Sequence, residues 1–220
     1  MAGRKPGAQT SSAGARESAA SAERAVTDPR ELPGSRAEAS PLRSSARILD
    51  VGCGLKKQPG AIGIDRNPAS HPDVLVDLDK VPYPFADHSF DRITAIHVIE
   101  HLSDVIRTME EFHRLLRPGG TVRIETPHYT DYSSWCDPTH KNHLNSFSFR
   151  YFGEKHGGFG YYSRARFREI SVRVKLLSFW KLLGFEFLVN HFPRYRRFWE
   201  HYLCYIVRGK AMEFEFEAEK

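Results

Sequence analysis

Short apolar stretches alternate with polar loops through the middle of the chain, and their order predicts a sheet with helices between its strands. Five of these stretches have the length and β-branched content of buried strands: ARILDVG, AIGIDRN, DVLVDLD, FDRITAIHVI and TVRIETP. Between the fourth and fifth, apolar residues recur at helical spacing, at Val105, Met109, Phe112 and Leu116. Ser103 is the predicted N-cap of that helix, and RPGG is the predicted turn after it. The alternation predicts a parallel sheet covered by helices.

Two stretches near the C-terminus alternate strictly between apolar and polar residues, which is the pattern of half-buried strands. In ISVRVKLL, which begins at Ile170, the charged positions are basic, whereas in MEFEFEAE, which begins at Met212, they are all glutamate. Opposite charges on facing strands favour pairing. We predict that the two strands lie side by side and antiparallel at one end of the sheet. The alternative is two unrelated amphipathic strands.

The N-terminal part of the chain differs in composition from the rest. Residues 1–44 contain almost no large apolar side chain, so they cannot bury enough surface to offset the entropy of ordering. We therefore predict a disordered tail at 1–44 and a single domain at 45–220. The tail is rich in Arg and Ser, as transit peptides are, but its acidic residues argue against that function.

Residues 179–210 form an insertion between the two C-terminal strands that combines Phe, Trp and Tyr with Arg and Lys. One interpretation is a helix whose aromatic residues cover the sheet edge while the cations stay in water. A second is peripheral contact with an anionic membrane or a lipid-linked substrate. A third is stacking on single-stranded nucleic acid, which the modest net charge of +5 favours less.

The cysteine pattern and the hydropathy predict a cytoplasmic protein. Cys53, Cys136 and Cys204 are widely separated and have no spacing typical of a disulfide framework or a zinc site. No apolar run is long enough to span a bilayer, and the N-terminal residues contain no hydrophobic signal-peptide core. We expect a reducing compartment and leave the oligomeric state open.

The stretch ILDVGCGLKKQPGAIGIDRNP, residues 48–68, predicts a strand, a glycine turn and a second strand, with too few residues between them for a helix. A dinucleotide fingerprint requires a third glycine and an acidic residue about 20 residues further on. Lys57 occupies the third position here, and Asp65 comes too early. A pyrophosphate also binds best at the N-terminus of a following helix. The stretch therefore fits a dinucleotide poorly.

S-adenosylmethionine fits this stretch better, because it has no phosphates. Glycine permits a ligand to approach the backbone at the first turn. Asp65, at the end of the second strand, is placed to accept hydrogen bonds from both ribose hydroxyls. Asp77 and Leu78, after the third strand, are placed for the adenine, and Asp50 lies below the turn, where an ammonium group would bind.

Five motifs of the chain resemble those of the class I S-adenosylmethionine-dependent methyltransferases: ILDVGCG, GIDRNP, VDLDKVPYPFADHSFDRI, HVIEHL and LLRPGGTVRIETP. They occur in the family's order between about residues 47 and 127. PGAIGID and DPTHKNHLNSFSFRYF are similar to segments of a short-loop branch of the methyltransferase type 11-like enzymes. The resemblance implies an α/β fold with a Rossmann-like, doubly wound sheet of seven strands. Most strands would be parallel, with an antiparallel C-terminal strand beside the fifth.

The resemblance also assigns cofactor contacts. It places the methionine part of the cofactor against Asp50, Gly52, Cys53 and Gly54. It places the adenosine and the sulfonium near Asp65, Arg66, Asp77, Leu78 and His97. The missing helix after Gly54 leaves the methionine carboxylate without its usual partner, and Lys56 or Lys57 is predicted to supply the positive charge.

Histidines follow several strand ends, where the ligand of an open α/β sheet binds. An oxygen acceptor needs a base to take its proton, and histidine serves near neutral pH. We predict His140 or His128 as that base. We predict acceptor contacts from the polar, aromatic segment HYTDYSSWCDPTHKNH and the preceding helix start, at His101, Tyr129, Asp137 and His143. The structural alternatives are that Asp137 caps the backbone around Pro138 and that His101 only forms a hydrogen bond.

A metal site is the other interpretation of these histidines. His97, Glu100, His101 and His140 could group around a divalent ion, and some relatives use a similar element in that way. HVIEHL is nevertheless frequent in relatives without a metal, so the sequence prediction is a protein without one.

The predicted function is transfer of a methyl group from S-adenosylmethionine to a small-molecule or glycan-type acceptor, at oxygen. The alternatives are a nucleic-acid or protein methyltransferase and a non-catalytic partner subunit with the same fold.

Overall fold

The computed structural model describes residues 46–153 and 162–220, so the predicted tail at 1–44 lies outside the described residues. One sheet of seven strands runs through the domain in the order β3-β2-β1-β4-β5-β7-β6. The strands are β1 Ile48–Val51, β2 Ile62–Asp65, β3 Val74–Leu75, β4 Phe90–Ile96, β5 Leu116–Pro127, β6 Arg166–Leu176 and β7 Gly209–Glu219. Strands β1 to β5 are mutually parallel, and β7 lies antiparallel between β5 and β6. The predicted fold class is confirmed.

The helices lie after the fourth and later strands. They are α1 Val105–Leu115, α2 Ser133–Cys136, α3 Ser178–Leu182, α4 Phe185–His191 and α5 Pro193–Phe198. Shorter turns of 3₁₀ helix occupy Pro68–Ser70, Ile99–His101 and Ser148–Phe152, and a π turn occupies Trp199–Leu203. Helix α1 packs its apolar face on the sheet by burying Met109, Phe112 and Leu115.

Two details of the α1 prediction are wrong. Asp104 is the N-cap, because its Oδ1 accepts the N–H of Arg107 at 2.9 Å, whereas the amide and hydroxyl of Ser103 donate to Asp79. The segment RPGG does not separate α1 from the next strand as an isolated turn. It belongs to β5, whose register with β4 is irregular at this point.

The loop between β1 and β2 contains no helix, as the sequence predicts, and carboxylates hold its backbone instead. The N–H of Gln58 donates to Asp50 at 2.8 Å, and the N–H of Gly54 donates to Asp65 at 2.9 Å. Both carboxylates stand on the strands that flank the loop. The chain can therefore pass from β1 to β2 in ten residues and still present a fixed turn at the edge of the sheet.

The antiparallel pairing of the two C-terminal strands is confirmed, and ion pairs cross it. Arg168 pairs with Glu217 at 2.6 Å, and Lys175 pairs with Glu213. Ile170 departs from the predicted inward alternation and is 45% exposed. The register between β6 and β7 shifts at this residue, and such a bulge turns one side chain out of its alternation.

Side chains of α4 and α5 cover the outer edge of β6, a strand that pairs only with β7 within the described residues. The amide of Asn190 forms two hydrogen bonds with the backbone of Val174, at 2.7 and 2.8 Å. Glu186 accepts the N–H of Leu176, and Arg196 donates to the carbonyl of Val172. The insertion therefore covers the sheet edge, but as a series of short helices rather than one, and with polar side chains that include the buried Arg196 instead of the predicted aromatic ones.

Candidate active site

The glycine turn after β1 lies at the carboxyl edge of the sheet, and its backbone requires glycine. Gly52 and Gly54 have φ of +65° and +50°, values that L side chains rarely adopt. A Cβ on Gly52 would lie 2.4 Å from Cγ2 of Val98, which follows β4. The turn is therefore packed directly against the end of the neighbouring strand, and a side chain at position 52 would push the two apart.

A cleft on one side of this turn, called here the Asp65 pocket, has a volume of about 160 Å³. It is lined by Gly52, Asp65, Arg66, Asp77, Leu78, Asp79, His97, Val98, His101 and Leu102. These residues follow the ends of β1, β2, β3 and β4. The pocket thus lies beyond the carboxyl ends of four parallel strands, where open α/β sheets bind ligands.

A second cleft, called here the Asp50 pocket, lies on the other side of the turn and has a volume of about 450 Å³. It is lined by Asp50, Gly52, Cys53, Gly54, Leu55, Lys56, Gln58, Thr94 and Ile96. Gly52 lines both pockets. All nine residues that the resemblance assigned to the cofactor therefore line one of two adjoining clefts.

The two lysines of the loop have different surroundings. The ammonium of Lys57 lies 2.8 Å from both carboxylate oxygens of Asp73, and this hydrogen bonding lowers the pKa of Asp73. Lys56 lines the Asp50 pocket. Of the two candidates for the methionine carboxylate, Lys56 is thus the one whose position suits the task.

His97 has a left-handed backbone, with φ of +52°, directly after β4. Its N–H donates to the carbonyl of Glu125, and its Nδ1 lies 3.3 Å from Oε1 of Glu100. The hydrogen bond with Glu100 raises the pKa of His97. The end of β4 thus places His97 at the wall of the Asp65 pocket.

The segment at 128–143, called here the lid loop, is fastened to the Asp65 pocket. The N–H groups of Lys141 and Asn142 both donate to the carbonyl of Glu100, at 2.8 and 3.0 Å. The ammonium of Lys141 lies 2.9 Å from Asp79. Asp79 was not singled out from the sequence, although its position two residues after Asp77 in VDLD could have indicated it.

Three of the residues predicted to contact the acceptor have side chains that interact mainly with other residues of the lid loop or with the insertion. The hydroxyl of Tyr129 lies 3.1 Å from Sγ of Cys204, and burial raises the pKa of this hydroxyl. The ring of His143 stacks on Trp135 at 3.6 Å. Asp137 accepts the N–H of Thr139 at 2.8 Å, which is the backbone cap that the structural alternative described.

His128, one of the two predicted bases, lies away from both pockets. It is fully buried. Its Nδ1 accepts the N–H of Thr130 at 3.2 Å, and its Nε2 lies 3.0 Å from Oε1 of Glu200. Both ring nitrogens are therefore occupied inside the core, which suits a structural role and not proton transfer with an acceptor.

His140, the other predicted base, lies next to the Asp65 pocket. Its ring packs edge-to-face on His101 with centroids 4.6 Å apart, and its Nδ1 lies 3.0 Å from the carbonyl oxygen of Ser134. His101 lines the pocket itself. The structure therefore brings His101 and His140 together at one wall and separates His128 from them.

Residues 25–173 match the model of a family described as a methyltransferase domain. Among curated relatives, a probable S-adenosylmethionine-dependent methyltransferase from Mycolicibacterium smegmatis is 31% identical over 45% of this chain and 46% of its own length. The demethylmenaquinone methyltransferase of Staphylococcus saprophyticus is 29% identical over 37% of this chain and 44% of its own length. The chain thus spans under half the length of the curated relatives it matches.

A solved structure shares the fold. The YcgJ protein of Bacillus subtilis superposes with a TM-score of 0.52 over 81% of this chain and 94% of that chain, at 15% sequence identity.

Within residues 46–153 and 162–220, no helix combines the length and the apolar character needed to cross a bilayer.

Proposed function

Because the chain belongs to the methyltransferase domain family of S-adenosylmethionine-dependent enzymes, we propose that it methylates a small-molecule acceptor, with oxygen as the atom that receives the methyl group. The observation that carries this proposal is the pair of clefts around Gly52. The demethylmenaquinone methyltransferase among its relatives supports a small acceptor. A glycan-type acceptor remains within the proposal, and a nucleic acid or a protein is the less favoured acceptor.

The residues of the two clefts fit S-adenosylmethionine better than a phosphate-bearing ligand. Three carboxylates, those of Asp65, Asp77 and Asp79, line the Asp65 pocket against one guanidinium, that of Arg66, and carboxylates suit hydroxyl and amine donors better than phosphates. No helix begins after Gly54, so the clefts lack the helix N-terminus that a pyrophosphate would use. Gly54 has an open space where a Cβ would stand, since the nearest atom outside its neighbours is 4.0 Å away.

The cofactor, when bound, supplies an electrophilic methyl group on a sulfonium ion. Asp65 would hold the ribose, and Asp77 with Leu78 would position the adenine. Lys56 would neutralise the methionine carboxylate in place of the missing helix. The wall formed by His101 and His140 would face the acceptor, and alignment of the acceptor by these residues is the main catalytic effect expected.

The first test is calorimetric titration of S-adenosylmethionine and S-adenosylhomocysteine into the full chain. Asp65→Ala should weaken binding by about 10- to 100-fold, since it removes charge-assisted hydrogen bonds. Lys56→Ala should weaken it by about 3- to 10-fold, as expected for one partly exposed ion pair. Lys57→Ala is the matched control, because Lys57 is already paired with Asp73.

Absence of binding by the wild-type chain would refute the proposed function. Binding without methyl transfer to any small acceptor would instead support the partner-subunit alternative. An equal loss in Lys56→Ala and Lys57→Ala would contradict the assignment of Lys56.

We also propose that residues 179–210 contact an anionic membrane surface, which would suit an apolar or lipid-linked acceptor. Ten of the sixteen exposed large apolar side chains of the described residues lie there: Phe179, Leu182, Leu183, Phe187, Leu188, Phe192, Phe198, Tyr202, Tyr205 and Ile206. The exposed charged side chains of the same segment are all basic: Lys181, Arg194, Arg197, Arg208 and Lys210. Apolar side chains with a basic surround suit anionic headgroups. Tyr205 also contacts Tyr129 of the lid loop, at 5.8 Å between rings.

Co-sedimentation with phosphatidylcholine vesicles, with and without phosphatidylserine, tests this contact. The chain should bind only the vesicles with phosphatidylserine, and salt should weaken the binding. Leu182→Glu should reduce it by about fivefold or more, because a charge replaces an apolar contact. Leu55→Glu is the matched control, since both leucines are 84% exposed and Leu55 lies outside the segment. Equal effects of the two substitutions would contradict the proposal.

A further inference from the structure

Three side chains between the Asp65 pocket and the lid loop have a geometry that the cofactor assignment does not explain. Glu100, His101 and His140 each place one potential ligand atom within 4.8 Å of the others. We propose that they form a binding site for a divalent transition-metal ion of the zinc type. The sequence prediction was a protein without a metal, and three features of the structure favour the opposite conclusion.

The first feature is the carboxylate of Glu100. Its side chain is only 2% exposed. One oxygen, Oε1, lies 3.3 Å from Nδ1 of His97, whereas the other, Oε2, is buried and has no hydrogen-bond partner. Buried polar atoms are nearly always paired, because an unpaired one has lost its water without compensation. A cation is the partner that a buried carboxylate oxygen lacks here.

The second feature is the protonation pattern of the two histidines. Nδ1 of His140 faces the carbonyl oxygen of Ser134 at 3.0 Å, and a carbonyl only accepts, so Nδ1 carries the proton. Nδ1 of His101 faces the hydroxyl of Thr139 at 2.9 Å, and that hydroxyl donates its own hydrogen to Asp137. In each neutral ring, Nε2 therefore keeps its lone pair, and Nε2 of His140 lies 3.9 Å from Oδ2 of Asp137. Hydrogen bonds from the other ring nitrogen orient ligating histidines in the same way in known metal sites.

The third feature is the attachment of the lid loop. His140 belongs to that loop, and Lys141 and Asn142 bind the backbone carbonyl of Glu100. Glu100 and His101 come from the turn after β4, and His140 comes from the loop after β5. These two segments are therefore fixed against each other before an ion binds. Such preorganisation lowers the entropic cost of binding.

Two imidazole nitrogens and one carboxylate oxygen form a ligand set that zinc uses in sites with an open position for water or substrate. Tetrahedral zinc bonds of about 2.0–2.2 Å place neighbouring ligand atoms about 3.3–3.6 Å apart, so the side chains would close slightly around the ion. Magnesium prefers oxygen ligands and keeps several waters, so it should bind weakly. If the proposed function holds, on which this last point rests, the ion would bind the acceptor oxygen and acidify its hydroxyl group, so that the proton passes to solvent and His140 serves as a ligand and not as the base.

The test uses the full chain without an affinity tag, because tag histidines bind zinc. Equilibrium dialysis against zinc chloride followed by metal analysis should find one zinc ion per chain, and cobalt should give the visible absorption of a four-coordinate ion. Glu100→Gln and His140→Ala should each weaken zinc binding by at least about tenfold. His143→Ala is the matched control in the same loop, since His143 stacks on Trp135 and should leave zinc binding unchanged.

Zinc binding is measured without S-adenosylmethionine or acceptor, so its failure is separate from a failure of the proposed function. A wild-type chain that takes up no zinc would overturn the proposal. So would Glu100→Gln and His140→Ala variants that bind zinc as tightly as the wild type, or a His143→Ala variant that loses it equally. If Glu100→Gln does not fold, as judged by circular dichroism, His101→Ala takes its place beside His140→Ala.

Discussion

Replacing Gly52 with alanine is expected to weaken S-adenosylmethionine binding by 100-fold or more, and to lower the free energy of unfolding by about 3 kcal/mol. The left-handed backbone accounts for about 1–2 kcal/mol of the loss of stability. The remainder comes from the contact of the new Cβ with Cγ2 of Val98 at 2.4 Å. Because Gly52 lines both clefts, relief of this contact would displace the walls of both. Calorimetric titration and urea denaturation measure the two effects.

Gly60→Ala is the matched control for this substitution. Gly60 has a φ of +77°, but a Cβ there would meet no atom within 4 Å. The Gly60→Ala variant therefore has the same cost of a left-handed backbone, but its new Cβ collides with no atom and lines neither pocket. If the two variants lost stability and affinity to the same extent, backbone conformation alone would explain the result. The close packing of the turn against Val98 would then have no measurable effect.

Replacing Glu200 with alanine is expected to lower the free energy of unfolding by about 2–5 kcal/mol, because each buried donor that loses its acceptor costs about 1–3 kcal/mol. Its Oε1 lies 3.0 Å from Nε2 of His128, and its Oε2 accepts the hydroxyl of Ser146 at 2.5 Å. Alanine would leave both donors buried without an acceptor. Urea denaturation at neutral pH measures the loss, and Glu200→Gln, which keeps the shape and one acceptor, should lose less.

The same pair predicts a dependence of stability on pH. Burial raises the pKa of Glu200, but hydrogen bonds from His128 and Ser146 outweigh it and hold this pKa below its ordinary value. A carboxyl group with a lowered pKa stabilises the fold above its unfolded pKa and loses that effect as the pH falls through its folded pKa. The difference in stability between wild type and Glu200→Gln should therefore shrink below about pH 4. A constant difference down to pH 3 would contradict this account.

The parts of the fold that depend on local pattern could be predicted from the sequence. The acidic and basic strands were paired correctly, because their alternation and opposite charges are both properties of consecutive residues. The loop without a helix followed from the number of residues between Gly54 and Ile62. By contrast, the choice of Asp104 over Ser103 as N-cap depends on Asp79, which engages Ser103 from 24 residues away.

In the candidate site, too, local sequence pattern does not determine contacts between residues that are distant in the chain. The nine predicted cofactor residues come from the resemblance to the class I methyltransferases, whose motifs follow strand ends, and the order of strands sets where those ends meet. The role of a histidine cannot be found in that way. His128 and His140 both follow β5, yet one is enclosed by Thr130 and Glu200 and the other faces His101. Glu200 lies 72 residues from His128 in the chain, and no local pattern connects the two.

The side chains that cover β6 have a consequence for the behaviour of the protein in concentrated solution. A free strand edge is a template for the growth of cross-β aggregates, since any extended chain can add to it. Here Asn190, Glu186 and Arg196 occupy the backbone groups that an incoming strand would need. The segment with ten of the sixteen exposed large apolar side chains of the described residues thus also blocks polymerisation of the sheet. A truncation that removed it to improve solubility would uncover the edge and favour fibril formation instead.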